Sequence, residues 1–354
     1  MVRRKCGVPV VFLGLIIIFI VAILYVGAGQ LSQYIFNQFE YPKPRFCSLL
    51  GYCMYSLLLF SPTSIGILRK WYQQPEGMLK AALADPELPS PGKLIILGLI
   101  FSTNSMIFNT AISLTDLALL NCLSASSTAF TFLLSLVILK RRATIVPLLG
   151  VFVAIAGVIL ASLDPPKKIG DMAVETKIAG VVCCLISAFL YGVGSCLLNK
   201  WVKNERYVSL VFSWFALQTL VLMAPLLGIF HLTGLEEFQG PSAAQLGLLC
   251  VNGIANTVVP DYMINIVVVL VNPLLVSVGM TATMPLSTLL LYFTDSNTPT
   301  VLFLLGSLLL MVAVVTIAVD EHLASKRQQE TDKKMDALPD PGLRSTSSTS
   351  TYEP

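Results

Sequence analysis

Ten apolar segments of about 20 residues each follow one another between residues 8 and 319, separated by polar stretches of which the longest is 69–92. That length is what a helix needs to cross the hydrocarbon core of a bilayer. Once in lipid, every backbone N–H and C=O must find its partner inside the segment. Charged residues make up only 12% of the chain, about half the usual share of a soluble domain. The period-two alternation of barrel strands is absent. The fold class is therefore an all-α polytopic membrane protein with ten transmembrane helices. The net charge is only +3, and the positive residues flank the apolar runs instead of forming one patch, so a nucleic-acid partner has no support.

The predicted spans are residues 8–35, 46–68, 93–113, 116–139, 144–163, 177–201, 208–231, 244–270, 273–293 and 300–319. Arg3, Arg4 and Lys5 ahead of the first span imitate a signal peptide, but the run is far longer than a signal's apolar region. Asp164-Pro165-Pro166 stops the fifth span. The organisation predicted is a cytosolic N-terminus (1–7), a first five-helix unit (8–163), a link (164–176), a second unit (177–320) and a disordered cytosolic tail (321–354). The tail is polar, Pro-containing and rich in Ser and Thr.

Ten crossings put both termini on one side. On that side lie 18 of the 23 Lys and Arg, and the other side keeps only Lys43, Arg45, Lys167, Lys168 and Lys177. The positive-inside rule makes the terminal side cytosolic. The eight cysteines lie mostly in or beside apolar runs, where they serve as small packing residues.

The chain also repeats itself. An offset of 156 residues carries Asn109 onto Asn265, Asp116 onto Asn272, Ser127 onto Thr283, Thr144 onto Thr300, and Leu148-Leu149-Gly150 onto Leu304-Leu305-Gly306. Nearer the front of each half, Leu24-Tyr25 resembles Leu190-Tyr191. Each half holds five helices. Five is odd, so the second copy enters the membrane from the opposite face and the two form inverted repeats. That design places a site between the halves near the midplane and lets rocking expose it to each face in turn.

The polar residues inside these runs are the candidate site. Asp261 stands out, because a carboxylate in a membrane helix is costly and needs a reason. It can attract a cationic solute, carry a coupling proton or hold a gate with a neighbouring helix; the plainer reading is a hydrogen-bonded structural acid. Asn252 and Asn256 share a helix face, Asn104 adds polarity to the third span, Asn121 and Ser124 to the fourth, and Thr281 and Thr283 to the ninth. These residues line a cavity or join helices as polar glue. Tyr25 and Tyr191 occupy matching helices and can stack on a planar ring or simply pack. Gly27, Gly29, Gly192 and Gly194 permit close helix approach, and Pro260 and Pro285 are kink positions. His231 and His322 have no metal-ligand partner nearby, and no nucleophile–base or phosphate-loop motif is present, so the reading includes no enzyme chemistry, no metal and no cofactor.

Three stretches, 109–142, 183–200 and 252–291, resemble the drug/metabolite transporter superfamily with its EamA-like repeats, most nearly the F subgroup of solute-carrier family 35. The resemblance implies the ten-helix inverted-repeat fold and a small organic solute as cargo. It implies an endomembrane such as Golgi, vacuole or lysosome before the plasma membrane. One departure bears on the cargo. Nucleotide-sugar and phosphate carriers of this superfamily use cationic contacts, but here the fourth and ninth spans contain no internal Lys or Arg. Phosphate in a low-dielectric cavity wants such partners, so a neutral or cationic solute fits better. The reading leaves open proton coupling and a homodimer. The alternative from another class is a membrane receptor or scaffold that uses the fold without transport.

Overall fold

The computed structural model describes residues 8–37, 41, 43–75, 77–115, 120, 123–124, 126–139, 145–162, 174–234, 237–271, 273–280, 283, 286–287, 300–302, 304–309, 311–313, 315–316 and 319. Among these the chain is helical, with no strand. The helices are α1 (Val8–Asn37), α2 (Pro44–Cys53), α3 (Pro62–Tyr72), α4 (Met78–Ala84), α5 (Pro91–Leu114), α6 (Ser126–Ile138), α7 (Ile145–Ser162), α8 (Val174–Trp201), α9 (Val208–Leu232), α10 (Ala243–Asn252), α11 (Val259–Leu270) and α12 (Pro273–Met280). Among the described residues five helices are long and apolar enough to cross a membrane, or six if the bent pair around Pro62 counts as one. Shorter apolar helices run over Ser126–Ile138, Leu148–Gly157 and Leu304–Ala313. The N-terminus, most of the link and the predicted disordered tail lie outside the described residues.

Two predicted spans are not plain helices. The second one, expected as a single helix over 46–68, is α2, a 3-10 turn (Met54–Phe60) and α3, bent by 64°. The cause is local. Ser61 precedes Pro62, whose ring pushes it to extended backbone (φ −65°, ψ 144°), and Pro62 has no N–H to continue the ladder. Ser61 then caps α3 by accepting from the Ser64 N–H at 3.2 Å. The eighth span is continuous from Ala243 to Leu270 but opens into a π-turn at Gly253–Val258, just ahead of Pro260. Proline removes one backbone donor and crowds the carbonyl four residues before it, and a wider turn accommodates both.

The packing joins helices from opposite halves of the sequence. Helix α1 lies against α11, and α5 against α8. Helix α2 and its 3-10 turn lie against α9, and α6 lies against α12. Apolar side chains gain little by leaving lipid for protein, so these contacts rest on close packing and interhelical hydrogen bonds. Glycines on α8 permit the approach: a Cβ on Gly194 would stand 3.1 Å from the Phe101 ring, and one on Gly192 3.2 Å from the Thr131 side chain. Gly27, expected to play the same part, faces open space instead. The largest buried cluster gathers Tyr55, Phe212, Phe215, Leu97, Phe101 and Val267 where α1, the 3-10 turn, α5, α9 and α11 meet. Leu13, Phe19 and Ile23 on α1 and Phe152 on α7 point outward, as an apolar surface bathed in lipid allows.

Candidate functional site

Asp261 stands in the first turn of α11, directly after the π-turn. Both of its carboxylate oxygens are taken. The Tyr25 hydroxyl, from α1, donates to Oδ1 at 2.7 Å, and the Tyr55 hydroxyl, from the 3-10 turn, donates to Oδ2. One acid therefore ties three segments together through charge-assisted hydrogen bonds, which are about twice as strong as neutral ones. The Tyr55 ring is held edge-on between Tyr52 (centroids 4.9 Å apart) and Phe212 (5.0 Å). Tyr52 in turn donates to the Phe101 carbonyl at 2.7 Å, across to α5. These interhelical bonds are what a gate and a hydrogen-bonded structural acid have in common.

Tyr25 spends its hydroxyl on Asp261. Its counterpart Tyr191 lies within electrostatic reach of the same acid. The hydroxyls of Tyr191 and Ser195, one turn apart on α8, are buried beside each other, and among the described residues the Thr128 hydroxyl on α6 and the Asn265 side-chain oxygen on α11 are buried without a hydrogen-bond partner. Unsatisfied polar groups of this kind are rare in native interiors and call for a partner or a function.

The other predicted residues divide between seams. The Ser32 hydroxyl donates to Asn252 Oδ1 at 3.1 Å, and Asn256 Nδ2 reaches the same Ser32 at 3.4 Å, so this pair joins the eighth span to α1. Asn252 Nδ2 also donates to Cys47 Sγ at 3.6 Å. Asn104 accepts from Ser187 at 2.8 Å across the α5–α8 contact. Ser124 meets Cys184 Sγ at 3.6 Å, and Thr283 donates back to the Met280 carbonyl at 2.7 Å. Asn121 and Thr281 lie outside the described residues. Asn252, Asn256 and Asn104 thus have interhelical partners in this conformation, as polar glue does. The sequence reading missed Tyr55, Ser32 and Ser187. The available signal was that a buried carboxylate demands donors, and tyrosine hydroxyls in apolar spans are the natural supply.

A cavity of about 290 Å³ lies between α5, α8 and α9, lined by Thr103, Met106, Ile107, Thr110, Cys183, Met223, Leu226 and Phe230, with Arg45 4.7 Å over the Phe230 ring. It is apolar and does not include Asp261. Among the described residues no group of three His, Cys, Asp or Glu side chains could hold a metal ion.

Residues 8–319 match the family described as Solute carrier family 35 (SLC35F). An uncharacterized transporter of Schizosaccharomyces pombe is 30% identical over 219 residues, covering 60% of this chain and 64% of that protein. The thiamine-repressible mitochondrial transport protein of Saccharomyces cerevisiae is 24% identical over 307 residues, covering 78% and 83%. A solved crystal structure superposes with a TM-score of 0.55 at 16% identity over 86% of this chain and 96% of that one, which speaks for the fold alone.

Proposed function

The chain belongs to solute carrier family 35, SLC35F, and is a multi-pass membrane protein of a transporter family, not an enzyme; from that premise we propose that it moves a small organic solute by alternating access between two inverted five-helix repeats. The observation that carries this reading is the pairing of helices across the halves. An inverted repeat relates the first span to the sixth and the third to the eighth. The contact of α1 with α11 (first with eighth) then corresponds to that of α8 with α5 (sixth with third). The α2–α9 contact (second with seventh) and the α6–α12 contact (fourth with ninth) each map onto themselves. Each of the four contacts thus has the counterpart that a pseudo-twofold axis in the membrane plane would give it, which supports the reading.

The cargo is neutral or cationic, not phosphorylated. The anionic Asp261 and the buried hydroxyls of Tyr191, Ser195 and Thr128 support this, since they offer hydrogen-bond partners to such a solute. Its site comprises Asp261 with Tyr25 and Tyr191, and Asn104, Asn121, Ser124, Asn252, Asn256, Thr281 and Thr283 form the polar lining that becomes available as the seams part. Asp261 carries a coupling proton where the cycle uses one. Both termini face the cytosol, and the compartment is an endomembrane. Uptake by proteoliposomes of nucleosides, vitamins and amines, with and without a pH gradient, tests the reading. Flux that Asp261→Asn abolishes while the protein still folds and inserts supports it. No flux of any solute by intact protein refutes the transport reading, and flux unaltered by that substitution refutes the role given to Asp261.

A further inference from the structure

Two tyrosines make matching contacts at opposite ends of the bundle. Tyr207, between α8 and α9, donates to Asp85 at 2.6 Å, and Trp71 Nε1 donates to the same carboxylate oxygen at 3.0 Å. Beside them the Asn204 amide donates to Glu87 at 2.7 Å. These bonds fasten the loop ahead of α5 to the α8–α9 loop. Tyr41, between α1 and α2, donates to the Gln239 carbonyl at 2.8 Å, and Phe46 meets the Phe238 ring edge-on at 5.4 Å. These fasten the α1–α2 loop to the loop ahead of α10.

Helix α5 measures the separation. Asp85 lies six residues ahead of its first residue, Pro91, whereas its far end, at Thr115, accepts from Gln33 near the end of α1. Its 24 residues span about 36 Å. The separation of 166 residues that relates Tyr25 to Tyr191 also relates Leu31 to Leu197, Tyr41 to Tyr207 and Phe46 to Phe212. The two contacts therefore occupy equivalent places in the two halves.

We propose that Tyr207–Asp85 and Tyr41–Gln239 are the paired latches of the transport cycle, each closing one face by clasping a loop of one half to a loop of the other. This rests on the alternating-access reading. The latches differ in chemistry. One ends on a carboxylate with a second donor, the other on a neutral carbonyl, and a hydrogen bond to a charged acceptor is the stronger. The Asp85 face, which also carries Lys70, Lys80, Lys93 and Lys203, is accordingly the harder to open, and the resting molecule opens first at the other face.

Hydrogen exchange on the full chain in nanodiscs tests this. Tyr207→Phe keeps the ring and removes the donor; exchange should rise about tenfold in residues 78–90 and stay unchanged in 237–242. Tyr41→Phe should do the reverse, with a smaller rise. Asp85→Asn, which keeps an acceptor, should give an intermediate rise on the Tyr207 face and stands in if Tyr207→Phe does not fold. Either tyrosine variant loosening both faces equally, or leaving its own face unchanged, overturns the proposal. Uptake by the same preparations separates the claims. Flux with an unchanged exchange pattern sinks the latches alone. The face-specific pattern without flux of any solute sinks the transport reading and reduces the latches to structural clasps.

Discussion

Replacing Tyr55 by Phe isolates one bond at the centre of the site. The ring keeps its edge contacts with Tyr52 and Phe212, so no cavity opens, and only the donor to Asp261 Oδ2 is lost. The carboxylate is left with Tyr25 alone. A hydrogen bond to a charged group contributes about 1.5–3 kcal/mol, and Tyr55→Phe should cost that much. Asp261→Leu removes both bonds at once and leaves the two hydroxyls buried without an acceptor. In that background Tyr55→Phe discards an orphaned hydroxyl, and should cost nothing or stabilise. The coupling between the two positions should therefore be about 1.5–3 kcal/mol, well beyond the additivity of independent sites. Reversible unfolding of the four proteins in mixed micelles with increasing SDS measures it. A coupling within about 0.5 kcal/mol of zero would refute the claim that Asp261 fastens the 3-10 turn to α11.

Four further outcomes follow from other parts of the molecule. A Cβ on Gly51 would stand 2.9 Å from Thr257 Oγ1, so Gly51→Ala should cost about 1–3 kcal/mol in the same unfolding assay and be rescued by Thr257→Ala. Gly253→Ala, which meets the flexible Met54 thioether, should cost less. Burial pushes the Asp85 carboxyl up, but hydrogen bonds from Tyr207, Trp71 and the Glu87 backbone, with Lys70 nearby, outweigh it and hold it below its ordinary value of 3.8. The unfolded chain then takes up this proton first, so the group's contribution is complete above about pH 5 and is lost as pH falls through the folded value; Tyr207→Phe should flatten this acid limb of a stability-versus-pH curve. A C-terminal tag should be cleaved by protease added outside cytosol-side-out vesicles, and its protection would reverse the orientation.

Much of the helical layout was legible because apolar run length is a direct physical requirement of the bilayer. The third, sixth, seventh and eighth predicted spans meet α5, α8, α9 and the 243–270 helix within three residues at each end. The bend at Ser61 was half legible: Pro62 announces a break, but its angle depends on what α2 and α3 pack against. The π-turn was not, since Pro260 marks a kink position without saying how the turn before it responds. Asp261 could be singled out from the cost of its charge in lipid. Its partners could not, because Tyr25 and Tyr55 lie 236 and 206 residues away in sequence, and only the packing of α1 on α11 and of α2 and its 3-10 turn on the π-turn brings them together. The Asp85 latch was invisible for a simpler reason. In a polar loop an acid costs nothing, and so attracts no notice.

The π-turn has a consequence for phase. It spends one residue more per turn than an α-helix, so the two arms of the eighth span are set about 100° apart relative to an uninterrupted helix. Upstream, Asn252 points at Ser32 and Cys47; downstream, Asp261 points at Tyr25 and Tyr55. Two demands that a single apolar stripe could not meet are met by one surplus residue. Relaxation of the turn to α-geometry would rotate the acid away from its tyrosines by that angle while Asn252, upstream of the turn, stayed in place.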